Sequence, residues 1–359
     1  EGLLLRGRFT SGFHDEEFCD RRILARIHRA TMDQLRRSIE PVPVASYIRF
    51  LADWQHLSPD RQLSGVEGVL EVIEQLQGFE AAASVWEKEI LAVRVRNFDA
   101  SVLDSLCFSG DLVWGRFTHR SRSVPGTGLS RNGPLSLGLR GDLPWLMDPV
   151  VPGPMKGAVA DVFNCLHEKG ASFFDDIVAC TRRMPSEVEA GLWRLVAAGA
   201  VSADGFQVLR GLVGGVSRKT RRESRFARKR FRNNLARRTG SRWALLNTGE
   251  RDRIPEDELI DSRAGQLLRR YGIVMRQVLA REPGSPPWSK LIRSLRRAEQ
   301  RGEIRGGRFV AGITGEQFAL PEAVEQLRVV SRRVQNGEMI RVSACDPLNL
   351  IGILTPGLR

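Results

Sequence analysis

The chain has 359 residues, of which 42% are hydrophobic, and a formal net charge of +13. That length suits two or three domains, and that apolar share is enough to fill buried cores, which excludes a chain disordered throughout. No apolar run approaches the roughly 20 residues of a membrane helix, since the longest, Leu348 to Leu354, is far too short.

Residues 20–117 read mostly as helix. Ile23, Leu24, Ile27, Met32, Leu35 and Ile39 recur at helical spacing, with Arg21, Arg22, Arg26, Arg29, Arg36 and Arg37 between them. The Glu40-Pro41-Val42-Pro43 segment stops that helix, because proline lacks the donor and restricts its predecessor. Further helices are expected at Val44–Trp54, Val66–Leu76, Ala82–Leu91 and Ser101–Ser109, with Ser101 as a cap. Gly110 then turns the chain into a strand, Leu112–Phe117. From His119 to Pro154 there are six glycines and six prolines in 36 residues, which marks a linker. Leu135, Leu137 and Leu139 alternate there as one short strand.

A weak internal repeat follows. Its first copy has helices Lys156–Lys169, Ser172–Cys180 and Glu187–Ala198, then strands Ala200–Ala203 and Phe206–Leu209 about an Asp204-Gly205 turn. The second has helices Asp261–Tyr271, Ile273–Arg281 and Trp288–Arg301, then strands Glu303–Arg305 and Arg308–Ala311 about Gly306-Gly307. Three helices and a β-hairpin is the order of a winged helix. The tail adds a helix, Glu322–Ser331, a strand, Met339–Val342, and the apolar run. The expected fold is therefore mainly α with small β elements (α+β): tandem winged-helix domains, a helical domain and a partial β-barrel. The domains are 1–118 helical, 119–154 linker, 155–217 and 243–322 winged helices, 218–242 basic linker, and 323–359 barrel or sheet tail.

The charge is local. Twelve of the 25 residues from 218 to 242 are Arg or Lys, opposed by Glu223 alone, so this tract holds +11 of the +13. A dense cationic strip attracts a phosphate backbone, because each neutralised phosphate releases counterions. A passive linker is the alternative, since blocks of like charge repel and rarely fold alone. The phosphate contacts expected here are Arg218, Lys219, Arg221, Arg222, Arg225, Arg228, Lys229, Arg230, Arg232, Arg237 and Arg238, with Phe226 and Phe231 as stacking faces. In the second winged helix, Lys290, Arg293, Arg297, Arg305 and Arg308 line the third helix and wing, and Trp288 opens that helix as a candidate for base stacking. The first winged helix carries only Arg194 on its third helix, against Glu187 and Glu189. Five scattered cysteines without a C-x-x-C pair argue for reduced thiols and no metal site.

Several segments carry a family resemblance: "RGRFT" (6–10), "EEFCDRRILARIHR" (16–29), "RFLADWQHL" (49–57), "VIEQLQGFEAAASVWEKEIL" (72–91), "LDSLCFSGDLVWGR" (103–116), "EVEAGLWRLVAAGAVSADGF" (187–206), "RGEIRGGRFVAGITGEQFALPEAVEQLR" (301–328) and "DPLNLIGILTPG" (346–357). They resemble the DEAD/DEAH-associated and carboxy-terminal region of Lhr-type proteins, the large helicase-related superfamily 2 enzymes. The resemblance implies an ATP-dependent 3′-to-5′ DNA helicase in DNA repair, partnered by single-stranded or forked DNA, with an RNA–DNA hybrid and a homo-oligomer as further partners. It also implies a cytoplasmic, nucleoid-associated protein with no membrane partner. ATP and magnesium would serve a motor outside these residues, because no G-x-x-x-x-G-K-[ST] loop occurs here. Glu1 opens the sequence without a leader, which also reads as part of a longer protein. A fainter likeness, to crosslink-repair DNA glycosylases with tandem winged helices, makes Asp346 of "SACDPL" a candidate acid, with Gln75 and Gln77 as weaker candidates. An oligomerisation scaffold is the third alternative.

Overall fold

The computed structural model describes residues 4–118, 133–148, 155–213, 240–246 and 254–355, apart from residues 11, 13, 38, 283, 335, 336 and 338. A hairpin, β1 (Leu4–Gly7) and β2 (Glu17–Asp20), leads into helix α1 (Arg21–Arg37) and then α2 (Val44–Trp54). The body that follows is three winged helices rather than two. The first comprises β3 (Leu63–Ser64), α3 (Gly65–Leu76), β4 (Ala81–Ala82), α4 (Ala83–Val85, continuing as a wider turn over Trp86–Leu91), β5 (Val95–Arg96), α5 (Ala100–Ser109), β6 (Leu112–Gly115) and β7 (Pro134–Leu139). A short helix, α6 (Leu143–Leu146), closes it.

The second runs α7 (Ala158–Lys169), β8 (Ser172–Phe173), α8 (Phe174–Thr181), α9 (Pro185–Ala197), β9 (Val201–Ala203), α10 (Gln207–Val213) and β10 (Arg242–Leu245). The third runs α11 (Glu256–Tyr271), β11 (Ile273–Met275), a 3-10 stretch Arg276–Arg281, α12 (Trp288–Gln300), β12 (Arg305–Gly307) and β13 (Gln317–Ala319), and α13 (Pro321–Arg332) follows. Each unit has one antiparallel sheet whose last strand lies in the middle: β4-β7-β6, β8-β10-β9 and β11-β13-β12. That shared order identifies 65–139 as a winged helix, not part of a featureless helical domain.

Five expectations change with this topology. The Gly/Pro-rich segment after residue 118 joins two paired strands, Trp114 to Leu137 among them, so it is a wing connection. The basic tract is likewise not a linker between domains: β9 pairs with β10, so the tract falls between two strands of one sheet. Phe206–Leu209 is not the return strand, because Gln207 starts α10, capped by the Asp104 carboxylate at 3.0 Å. In the third unit Ile273–Met275 is strand, since Ile273, Val274 and Met275 are fully buried against β13. The return strand is 317–319, and Gly306 and Gly307 are in β12.

Among the described residues two large cores hold the body, beside a smaller cluster around Phe117 and Leu146. One fuses the first two units through Val72, Trp86, Trp114, Leu192, Val201 and Trp243, and the Ser202 hydroxyl donates to the Trp114 carbonyl across the seam. The other is built from the third unit, α13 and the N-terminal helix α2: Tyr47, Phe50 and Leu51 pack against Leu268, Phe318 and Val324. Burying such side chains stabilises by roughly 1.5–3 kcal/mol each. Residues 42–54 thus complete a domain that begins over 200 residues later; the Tyr47 hydroxyl donates to the Ile273 carbonyl at 2.8 Å. The tail departs from expectation. The helix at 321–332 is present, but 339–342 is irregular, and among the described tail residues the isolated Ile351–Thr355 bridge replaces any barrel. No helix of the described residues is long and apolar enough to cross a membrane.

Candidate nucleic-acid interface

The third helix of a winged helix and its wing are the parts that reach a duplex. In the first unit that helix, α5, has no cation, and its Asp104 already holds Arg210 at 2.6 Å. In the second, α9 offers Arg194 alone. Only α12 combines a buried stripe with a basic one. Leu291 and Leu295, four apart, are fully buried, and Lys290, Arg293, Arg296 and Arg297 point away from them. Pro287 enters the helix with φ −60° and ψ 145°, a start that proline favours.

Most of these cations are already bound. Lys290 pairs with Glu256, whose carboxyl its ammonium holds below the ordinary range. Arg297 meets Asp261 at 2.9 Å, Arg301 meets Glu303 at 2.6 Å, and Arg296 grips Glu316 through two bonds of 3.0 and 3.1 Å. Such exposed pairs are worth about 0–1 kcal/mol, so a phosphate can displace the carboxylate. Among the described residues Arg293 donates only to its own helix, to Ser289 at 3.3 Å, and Arg305 and Arg308 are exposed on the wing without a side-chain partner. These three guanidiniums, from α12, β12 and the turn after it, form one cationic face. The carboxylates that occupy their neighbours lie 2 to 36 residues away in sequence, which composition alone does not reveal.

Other expected site residues lie elsewhere. Trp288 is half-buried with its ring 6.5 Å from Phe318, so much of it belongs to the core. Arg218 to Arg238 of the tract lie outside the described residues; its last cation, Arg242, is held by Asp204 at 2.8 Å. Asp346 is fully buried, and both carboxylate oxygens accept from Arg94, at 2.7 and 2.8 Å. Arg94 is equally buried and also donates to the Gln55 amide oxygen and the Ile90 carbonyl. Asp346 therefore ties the tail into the seam between the first and third units. Gln75 and Gln77 diverge: Gln75 donates to the Trp54 carbonyl, whereas Gln77, past the end of α3, donates to Asp142 and accepts from Leu139. A cleft of about 1130 Å³ between α2, α3 and α11 carries Asp60, Glu67, Glu71 and Glu74, a sign of charge that repels phosphate.

A protein with three winged helices and one basic recognition face is a DNA-binding module. Family comparison agrees in kind. Residues 42–129 and 254–339 match two models described as winged-helix domain of the large helicase-related protein, the third and the fourth of its series. The chain is 28% identical over 371 residues to the "Lhr helicase/ probable uracil glycosylase" of Mycolicibacterium smegmatis, which covers 98% of this chain and 24% of that protein. It is 29% identical over 371 residues to the "Lhr helicase/uracil glycosylase" of Escherichia coli, covering 93% of this chain and 23% of the relative. These matches support a likeness to the C-terminal region of large helicase-related, or Lhr-type, helicases. The chain spans about a quarter of the length of these relatives.

Proposed function

We propose that this chain is the DNA-guiding part of a longer ATP-dependent 3′-to-5′ helicase of DNA repair, acting on single-stranded or forked DNA beside the nucleoid. ATP and magnesium belong to the motor of that longer protein. The observation that carries the reading is the set Arg293, Arg305 and Arg308 on the recognition helix and wing of the third winged helix, whose guanidiniums form no ion pair among the described residues. The basic tract, which falls in sequence between two strands of the second winged helix, adds further phosphate contacts. If six to eight phosphates are neutralised, log K falls with log salt at a slope of about −5 to −7 on duplex DNA. Replacing Arg293, Arg305 and Arg308 by alanine removes about 2.7 from that slope. Native gels over a salt series measure both, and a slope near zero for the unaltered chain overturns the reading.

A second reading, excision of uracil, is favoured by the names of both relatives. In this chain it requires the Arg94–Asp346 pair to open, because a general acid or water-positioning group must reach the flipped base. Uracil-containing strands, treated with alkali after incubation without ATP, separate the two readings: breakage at the uracil marks excision, and intact strands mark binding alone.

A further inference from the structure

The cationic face just described leaves one basic surface unused. Helix α1 carries six arginines against a single acid, Asp33, and none of its 17 residues is buried. Arg22, Arg26, Arg29 and Arg36 follow the spacing i, i+4, i+7 and i+14, which places them in one stripe along the helix. The stripe is anchored at one end. Arg36 forks onto Glu299 of α12 and lies 3.7 Å from Glu316, while Ile39, just beyond, seats against Gly307 of the wing. This anchor turns the stripe towards the recognition helix at its C-terminal end and carries it past that helix into solvent. Arg22, Arg26 and Arg29 are exposed, and their guanidiniums form no hydrogen bond or ion pair among the described residues.

We propose that the arginine stripe of α1 is a second phosphate contact, continuous with the wing and recognition helix, that extends the DNA footprint of the third winged helix to one side. The proposal rests on the DNA-binding reading above. The charge argument is local: three free guanidiniums spaced over about 10 Å, at 1.5 Å per residue, match the length of about three base-pair rises. The anchoring argument is separate. A solvated basic helix would not need the last arginine of its stripe, Arg36, held by Glu299, a carboxylate only 4% exposed. Beside the stripe α1 exposes Ile23 and Ile27, so an anionic bilayer is the competing surface.

The test uses the full chain, with Arg22, Arg26 and Arg29 changed together to glutamine and Arg36 left in place. Because the three side chains are free and exposed, the thermal unfolding midpoint is expected to stay unchanged. On duplex DNA the salt slope should shrink by about 2.7, so the parent loses about 40-fold more affinity than the variant between 50 and 200 mM salt. Hydroxyl-radical protection should shorten by about three base pairs on one side only. A parent without salt-dependent binding removes the DNA reading itself. A parent that binds, loses slope on R293A/R305A/R308A, and keeps it on R22Q/R26Q/R29Q overturns this proposal alone. Loss of sedimentation with phosphatidylserine-containing vesicles in that variant, with DNA binding intact, also overturns it and assigns the stripe to a membrane surface.

Discussion

Replacing Asp346 by alanine is expected to unfold the seam between the first and third winged helices. Arg94 and Asp346 are both fully buried and joined by two bonds of 2.7 and 2.8 Å. Removing one member of such a pair leaves an uncompensated buried charge and costs about 3–5 kcal/mol. The Leu348 amide, which donates to the same carboxylate at 2.9 Å, loses its acceptor as well. Among the described residues Arg94 would keep only Gln55 and Ile90, and its Nε already has no partner there. A loss of about 4 kcal/mol lowers the urea midpoint by roughly 1.3 M, at a slope of about 3 kcal/mol/M. Exchanging both members, as Arg94→Met with Asp346→Leu, should recover much of the loss, because an apolar replacement leaves nothing stranded. Urea unfolding followed by tryptophan fluorescence measures this. If Asp346→Ala unfolds within about 0.5 kcal/mol of the parent, the pair does not hold the seam and the reasoning fails; such a result would free Asp346 for a chemical role.

Three further expectations follow from geometry and burial. Gly307→Ala should cost about 1–3 kcal/mol and expose the 37–40 connection to protease, because a Cβ there would overlap Ile39 and push α1 off the wing; unchanged proteolysis would show that α1 is not seated by this contact. Burial pushes the Cys107 thiol up to about 12, so iodoacetamide at pH 8 should modify exposed Cys345 within minutes and Cys107 only after unfolding. Desolvation holds His56 below the ordinary histidine range despite the opposing pull of the Arg61 carbonyl and Glu71. The folded state therefore binds that proton less readily than the unfolded one, so stability falls as pH drops through and below the ordinary histidine value. In His56→Asn, a residue that tolerates the φ of +61° found there, the slope of stability between pH 7.5 and 5.5 should flatten.

The long helices were legible because their apolar residues recur with a helical period and their ends carry Pro or Gly. Pro185, Pro287 and Pro321 each sit at a helix entrance, and Gly110, Gly170 and Gly272 at an exit. The first winged helix was not legible, because β4 is two residues long and its wing strands are separated by a segment whose glycines and prolines look like a domain boundary. The second wing is hidden for a related reason: Trp243 pairs with Ala203 across 40 positions, whereas a tight turn at Asp204-Gly205 offers a nearer partner. Ile273–Met275 is too short and too uniformly apolar to show a period. At the candidate interface the basic residues were visible, but their internal partners were not. Glu256, Asp261 and Glu316 neutralise α12 from other elements, and Arg94 reaches Asp346 over 252 positions.

The N-terminal helix α2 is a core element of the last winged helix, and this has a consequence for synthesis. Tyr47 waits for Ile273, 226 residues further along the chain, before its hydroxyl and ring are covered. At ribosomal speeds of about 5–20 residues per second, that interval is roughly 11–45 s. During it Tyr47, Phe50 and Leu51 lack their native partners in the third winged helix, while the first two winged helices can already close around their shared core. The last domain therefore forms by capture of a segment made long before, and the nascent chain must keep that segment soluble until the C-terminal half arrives.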